Sequence, residues 1–368
     1  MTDFLETLFT TPLWSGLIKA GAAFALLMLT ALILVWFERR VVAFMQNRIG
    51  PNRAGPFGIL QTLADGLKLL FKEGIRPRKV EVGMYLAAPV AAMVPAFLIF
   101  MVVPIGAPVT IGETTVTLQG ADLNVALLFV LAMSSLAVYS VVLAGWSSGS
   151  KYPLLGGVRA TAQMISYEAA MGLALVPVVL LASALLAGGD AGLGTLSFAT
   201  IVELQQGSFR GPIPGWFIFW LLPSFLIFFV AGIAETNRAP FDLVEAESEI
   251  VGGYHTEYSG FRFAMFFLAE YINMFNICAI AVTLFLGGWL GPGADIPYIG
   301  WAVPVFWFLV KTYALLFVLV WVRATLPRFR YDQLMSLGWK RLIPLSLVWL
   351  VLFALVRAWQ SFGLPWEG

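Results

Sequence analysis

The stretch AETNRAPFDLVEAESEIVGGYHTEYSGFR, residues 234–262, decides how this chain is organised. It contains six acidic residues but only two arginines, Arg238 and Arg262. The sequence on either side is apolar over a length that crosses a bilayer. Because lipid destabilises charged side chains, we expect this stretch at an aqueous mouth, in a polar cavity or against another protein.

The composition of the chain is that of a membrane protein. Of its 368 residues, 60% are hydrophobic and 12% are charged, and the mean hydropathy is +0.87. Soluble domains carry about 25% charged residues. Several apolar runs exceed about 18 residues, the length that predicts a transmembrane helix. We therefore predict an all-α, polytopic membrane protein that forms one integral membrane domain over residues 1–368.

Some classes of site are excluded by residue counts. A single cysteine, Cys278, and a single histidine, His255, exclude an iron–sulfur or zinc site built by this chain alone. The net charge of +1 provides no field that would attract nucleic acid. We find no credible strand and no glycine-rich phosphate loop, so we expect no bound nucleotide.

Eight transmembrane helices are predicted from the apolar runs. Their approximate ranges are 14–37, 83–104, 123–144, 163–187, 215–234, 262–287, 301–322 and 341–360. The loops between them alternate between many basic residues and almost none. The positive-inside rule then places both termini on the outer side of the membrane. The segments predicted on the cytoplasmic side are 38–82, 145–162, 235–261 and 323–341.

The cytoplasmic loop 38–82 contains a predicted amphipathic helix at 59–73. Leucines recur there at helical spacing, and Asp65, Lys68 and Lys72 share another face. A helix of this kind lies on the membrane surface. The alternative is a solvated loop whose arginines and lysines only satisfy the positive-inside rule.

Three ionisable residues interrupt predicted spans far from their ends: Glu168, Glu270 and Lys311. Such a residue faces a bundle interior, a partner or water, because it is destabilised by roughly 2.5–3.5 kcal/mol at the bilayer centre. Desolvation raises the pKa of a carboxylate, which suits a proton carrier. The alternative is a carboxylate hydrogen-bonded only for packing. For Lys311, pairing with one of these carboxylates and pairing with a neighbouring subunit both remain open.

Within the acidic stretch, we predict that a helix begins near Pro240, a residue favoured in the first turn. Asp242, Glu245 and Glu249 then share one face, and Glu247 points elsewhere. Carboxylates at this spacing raise one another's pKa and titrate together. The helix dipole alone would account for Asp242, but not for Glu249 or the excess of acid.

Two motifs resemble one protein family. They are ERRVVAFMQNRIGPNRAGPFGILQTLADGLKLLFKE (38–73) and AETNRAPFDLVEAESEIVGGYHTEYSG (234–260). They are similar to the quinone-chamber membrane subunit of respiratory complex I, the proton-translocating NADH–quinone oxidoreductase. Residues 145–168 and 323–340 also look like family segments, so the resemblance covers essentially the whole chain.

The resemblance implies a role for individual residues. The quinone-chamber candidates are Glu38, Arg39, Arg48, Asp65, Lys68, Phe241 and Asp242. The proton-coupling candidates are Glu168, Glu235, Asp242, Glu245, Glu247, Glu249 and Glu270. Arg238 is the implied counter-ion. No metal ligand and no complete active site are expected in this chain alone.

The resemblance also implies substrates, partners and a location. Quinone is the implied substrate, while FMN and iron–sulfur clusters belong to partner subunits, including the one whose terminal cluster delivers electrons to the quinone. Other membrane-arm subunits and lipid are further partners, and the location is the bacterial inner (cytoplasmic) membrane.

Three other functions are weighed against this one. They are a related membrane subunit of an energy-converting hydrogenase, a stand-alone proton-coupled transporter and a purely structural anchor. A structural anchor leaves the intramembrane carboxylates unexplained.

Overall fold

The computed structural model describes residues 12–111, 114–186, 195–210, 213–242, 251–293 and 302–362. Helices dominate these ranges. Their bounds are α1 Pro12–Met45, α2 Gln61–Phe71, α3 Val82–Val102, α4 Ala126–Ser147, α5 Lys151–Leu186, α6 Phe198–Leu204, α7 Leu222–Glu235, α8 Phe261–Phe285, α9 Ala302–Thr325, α10 Tyr331–Leu337 and α11 Ile343–Phe362. A π-helical turn, Gly338–Leu342, joins α10 to α11.

The predicted polytopic all-α fold is confirmed. Within the described ranges, seven helices are long and apolar enough to cross a membrane, and each corresponds to a predicted span. The remaining predicted span, 215–234, is the 14-residue helix α7, preceded by a 3-10 turn at Phe217–Phe219. At ~1.5 Å per residue this helix is about 21 Å long, short of a hydrocarbon core of about 30 Å.

Two helices extend beyond their predicted ends. Helix α1 continues to Met45 rather than ending at 37, and α5 begins at Lys151 rather than at 163. Most of the predicted loop 145–162 is therefore helical. Hydropathy marks where charged residues begin, but Glu, Lys and Arg are good helix formers, so the helices continue past that point.

Two small hairpins depart from the prediction that the chain has no strands. Strands β1 (Gly106–Ile111) and β2 (Thr114–Leu118) pair antiparallel, and so do β3 (Ser208–Arg210) and β4 (Ile213–Pro214). The first hairpin is rich in β-branched residues, which favour extended backbone. It lies between α3 and α4, within a segment predicted as a loop.

Helix α8 lies at the centre of the bundle. Residues 274–285 are all buried, and this helix packs against α1, α3, α7 and α9. By contrast, most of the surface of α11 is exposed, so it faces lipid or a partner. The central position of α8 brings its one acidic residue, Glu270, next to the end of α7.

The predicted surface helix exists as α2, inside the expected range of 59–73. None of its residues is buried against the rest of the chain, and Leu63, Leu67 and Leu70 are all exposed. This unpartnered apolar face is typical of a helix that lies on a membrane surface or under another subunit. Its location at the membrane surface remains a prediction.

Gly156 of α5 tests how closely this bundle is packed. A Cβ atom at Gly156 would lie 2.6 Å from Gly253 Cα, whereas one at Gly172 of the same helix would meet nothing within 4 Å. We expect Gly156→Ala to destabilise the protein by about 1–3 kcal/mol through overpacking. Thermal unfolding of the purified complex measures this, with Gly172→Ala as the matched control. Equal melting temperatures for the two variants would contradict this packing.

Candidate functional site

A buried arginine, Arg238, lies at the centre of the candidate site. It follows α7 in the chain and is only 3% exposed. Its Nε lies 2.6 Å from Glu270 Oε1, and its Nη1 lies 3.6 Å from Glu38 Oε1. The guanidinium carbon also lies 4.4 Å from the centre of the Tyr271 ring. Arg238 thus contacts two of the predicted carboxylates and an aromatic face that favours a cation.

A second arginine, Arg323, completes this cluster. It forms an ion pair with Glu38, which is itself 4% exposed. The cluster therefore balances two carboxylates with two guanidinium groups from α1, α8, α9 and the segment after α7. Such balance matters, because a buried charge left without its partner destabilises a protein by about 3–5 kcal/mol.

Arg323 was assigned from sequence only to a basic loop. The signal that could have identified it is the excess of acid in the 234–262 stretch, since buried carboxylates require cations from elsewhere in the chain.

The next residues of the chain form a second buried group. Asp242 is 6% exposed, and its Oδ2 lies 3.3 Å from Nη2 of Arg328. The ring of Phe241 packs between those of Tyr167 and Phe329, with centres 5.5 Å away in each case. Phe241 and Asp242 therefore belong to one packed group.

The helix predicted to begin at Pro240 does not begin there. Pro240 lies in a turn and follows a cis peptide bond from Ala239, and Asp242 is not helical. The prediction failed because proline favours turns as well as first helical turns. The remaining acidic candidates, Glu245, Glu247 and Glu249, lie outside the described residues.

One glutamine holds this segment in place. Gln163 of α5 is fully buried, and its Nε2 donates hydrogen bonds to the backbone oxygens of Ala234 at 2.7 Å and Phe241 at 2.8 Å. These two carbonyls flank the segment 235–240, which carries Arg238. Sequence reasoning missed Gln163, because a lone glutamine in an apolar helix gives no pattern.

Two small adjoining cavities lie beside this segment, one mostly apolar and the other with a mixed polar and apolar lining. Each has a volume of about 40 Å³, and both are lined by Glu235, Thr236 and Asn273. One water needs about 10–15 Å³ of such space. Within the described part of the chain, three buried lining atoms have no hydrogen-bond partner: Glu235 Oε2, Asn237 Oδ1 and Asn276 Oδ1. Unpaired polar atoms in a cavity of this size fit ordered water.

Two of the predicted proton carriers, Glu235 and Glu270, lie at these cavities, and a third, Glu168, lies beside a lining serine. Glu235 and Glu270 line one of them directly. Glu168 Oε1 lies 3.1 Å from the Ser134 hydroxyl and also contacts the Ser135 hydroxyl. Ser134 lines the other cavity, so a serine hydroxyl lies between Glu168 and that cavity, although Glu168 itself lines neither of the two.

The other quinone-chamber candidates lie on the exposed side of α1. Nη1 of Arg39 lies 2.6 Å from Asp65 Oδ2, and Lys68 Nζ lies 3.9 Å from Asp65 Oδ1. Burial alone would raise the pKa of Asp65, but hydrogen bonds from Arg39 and Gln61 and the nearby positive charges lower it overall. These contacts tie α2 to α1 while the neighbouring Glu38 points inward.

Arg48 lies apart from these residues, in the exposed segment after α1. Its Nε donates a hydrogen bond to Gln46 Oε1 at 2.7 Å. The structure therefore does not bring Arg48 into contact with the other predicted chamber residues.

Lys311 does not pair with Glu168 or Glu270. Its Nζ donates to the backbone oxygens of Leu286, Gly288 and Leu290 at 2.6–3.1 Å. It also lies 4.2 Å from the centre of the Trp216 ring. An ammonium group has three donors, and they are satisfied by the carbonyl of the C-cap residue Leu286 and by two carbonyls of the turn that follows α8. Lys311 thus stabilises a helix end, where carbonyls attract cations.

The single histidine is buried among aromatic rings. His255 is 6% exposed and contacts Tyr254, Phe263, Phe266 and Phe267. Burial lowers the pKa of its imidazole to about 3. The imidazole is therefore neutral over the physiological range and does not carry protons there.

Neutral burial of His255 makes stability depend on pH. Below pH ~6.5 the unfolded chain binds a proton on this imidazole that the folded chain does not bind. The free energy of unfolding therefore decreases as the pH is lowered. Between pH 6.5 and pH 5 we expect a loss of about 2 kcal/mol. Chemical unfolding of the purified complex at several pH values measures this loss. The variant His255→Phe is expected to lose less stability over this interval, and an identical loss would contradict the burial.

This chain is similar to known proteins along most of its length. A family model described as NADH dehydrogenase matches residues 18–354, which extends from α1 into α11. An NADH-quinone oxidoreductase subunit of Frankia casuarinae is 52% identical over 355 residues. That alignment covers 95% of this chain and 74% of the relative. The matched region includes every described residue of the buried clusters and cavities.

Proposed function

The chain belongs to the NADH dehydrogenase family, and from this premise we propose that it is the quinone-chamber membrane subunit of a proton-translocating NADH–quinone oxidoreductase. In that complex it acts as part of a translocase, forming part of the quinone cavity and coupling quinone reduction to proton movement. The observation that carries the proposal is the Arg238 cluster, which joins predicted chamber residues to a polar cavity lined by carboxylates.

The quinone reaction defines what these residues must do. Reduction of a quinone adds two electrons and two protons and forms a quinol. The electrons come from an iron–sulfur cluster of a partner subunit, since this chain has one cysteine. Asp242, Phe241 and Arg328 form one wall of the chamber, and Arg39, Asp65 and Lys68 form its outer rim beside α2.

Coupling follows from the buried charges. Negative charge that develops on the quinone raises the proton affinity of nearby carboxylates and attracts the guanidinium groups. Arg238 contacts both Glu38 and Glu270, so a shift of this side chain changes the charge balance on two helices at once. Water in the adjoining cavities then connects Glu270, Glu235 and the serines beside Glu168 for proton transfer. Glu245, Glu247 and Glu249 continue this path in the proposal.

The setting of the protein belongs to the same proposal. The segments 38–82, 145–162, 235–261 and 323–341 face the cytoplasm, and both termini lie on the outer side of the bacterial inner membrane. Peripheral-arm subunits, which hold FMN and the iron–sulfur clusters, dock on the cytoplasmic face. Other membrane-arm subunits and lipid cover the exposed helices.

Substitution of the intramembrane carboxylates tests the coupling role. We expect Glu168→Gln and Glu270→Gln to lower quinone reductase turnover or the proton-to-electron ratio severalfold, because neither variant can exchange a proton at that position. The control is Glu203→Gln, which replaces an exposed carboxylate of α6. Activity and pumping are measured on assembled complex in vesicles. Wild-type values for both parameters in both variants would remove the coupling assignment.

Labelling with a photoreactive quinone tests the chamber. We expect label on α1, α2 and the peptide that contains Phe241, reduced by excess unlabelled quinone. Phe241→Ala should weaken labelling severalfold, because it removes a ring that packs between two others. Phe306→Ala, at an exposed position of α9, is the control. A hydrogenase-type anchor or a stand-alone transporter predicts no competed label at these positions.

A further inference from the structure

An apolar cavity lies far from the clusters described above. Its volume is about 450 Å³, and it separates the first half of α1 from the β1–β2 hairpin. Its walls include Ala22, Leu26, Phe100, Val109, Val116 and Val305. Small-molecule sites in proteins have volumes of about 300–1,000 Å³, mostly apolar walls and a few polar groups. The cavity meets this description.

One charged side chain lies at the cavity. Among the described lining residues, Lys19 is the only cation and no carboxylate is present. Its Nζ donates a hydrogen bond to the Thr117 hydroxyl of β2 at 3.1 Å, which holds the ammonium against the hairpin. An ammonium has three donors, so this contact leaves two for a ligand. The cavity therefore suits a ligand with an apolar body and an anionic end.

The position of Lys19 along α1 gives its depth in the membrane. Lys19 and Glu38 are 19 positions apart, which corresponds to about 28 Å of helix. This is close to the hydrocarbon thickness of about 30 Å. Glu38 lies at the end of α1 that holds α2. With α2 on the cytoplasmic surface, as predicted, Lys19 falls at the headgroup level of the opposite leaflet. Leu26 is about 10 Å deeper, among the acyl chains.

We propose that this cavity binds one phospholipid with an anionic headgroup, in the leaflet opposite α2. The phosphate accepts hydrogen bonds from Lys19 Nζ, and one acyl chain fills the apolar space between α1 and the hairpin. The order of charge and apolar surface along α1 is the same as that of a lipid molecule. Among the described residues that line the cavity, Lys19 has no carboxylate beside it, so its ammonium group provides the complementary charge.

Photocrosslinking to lipid tests the site in the assembled complex. The complex is placed in phosphatidylcholine nanodiscs with a trace of phosphatidylglycerol that carries a photoreactive acyl chain. We expect label on peptides 18–26 and 106–118. Lys19→Gln should reduce this label severalfold, while the label from photoreactive phosphatidylcholine, tested in parallel, should start lower and change little.

A pair of matched variants tests whether the tail occupies the cavity. Ala22 and Ala25 are both exposed on α1, but only Ala22 lines the cavity. Ala22→Phe should fill the space and reduce the label severalfold, whereas Ala25→Phe should leave it unchanged. Excess inorganic phosphate should also leave the label unchanged, because phosphate alone has no part that fits the apolar cavity.

Four results would overturn the proposal. They are equal labelling by the two lipids, no effect of Lys19→Gln, equal labelling of the two phenylalanine variants, and loss of the label with inorganic phosphate. A protein crosslink between these peptides and a partner subunit, with no lipid label, would also overturn it by assigning the cavity to a partner helix. The label is measured only on assembled complex of each variant, so that a folding defect is not mistaken for a loss of lipid binding.

Discussion

The structure depends on keeping one guanidinium group charged inside an apolar bundle. Arg238 is 3% exposed, and a guanidinium group buried without charged partners would strongly destabilise the fold. Carboxylates from two different helices and the aromatic ring of Tyr271 stabilise the buried cation. Those carboxylates come from α1 and α8. The buried charge of Arg238 is therefore stabilised only when these two helices pack in this arrangement.

This constraint explains why the acidic stretch is not an ordinary loop. Thr236, Arg238, Phe241 and Asp242 are all buried, and Gln163 binds the backbone on both sides of Arg238. Buried backbone needs hydrogen-bond partners, and here a side chain from α5 provides them. The segment is thus part of the protein interior, with small cavities beside it instead of bulk solvent.

The sequence predicted the class of fold well. Long apolar runs require helices in lipid, so seven of the eight predicted spans were correct, and a helix also forms within 59–73. The family resemblance rests on motifs and is confirmed by the family match. The sequence could not predict which partners the charged side chains contact. Arg323 lies 285 positions from Glu38 in the chain, and Lys311 binds backbone carbonyls, which carry no sequence signal. Contacts between residues so far apart in the chain depend on how the helices pack. The periodicity of apolar residues predicts only local secondary structure.

The contact made by Gln163 has a mechanical consequence. A single amide nitrogen, with its two hydrogens, fastens both ends of the segment that carries Arg238. Neither end can move away alone without breaking a buried hydrogen bond to Gln163. The segment is therefore expected to move as one unit. A displacement of the Arg238 guanidinium would also displace Phe241 and the neighbouring Asp242–Arg328 ion pair.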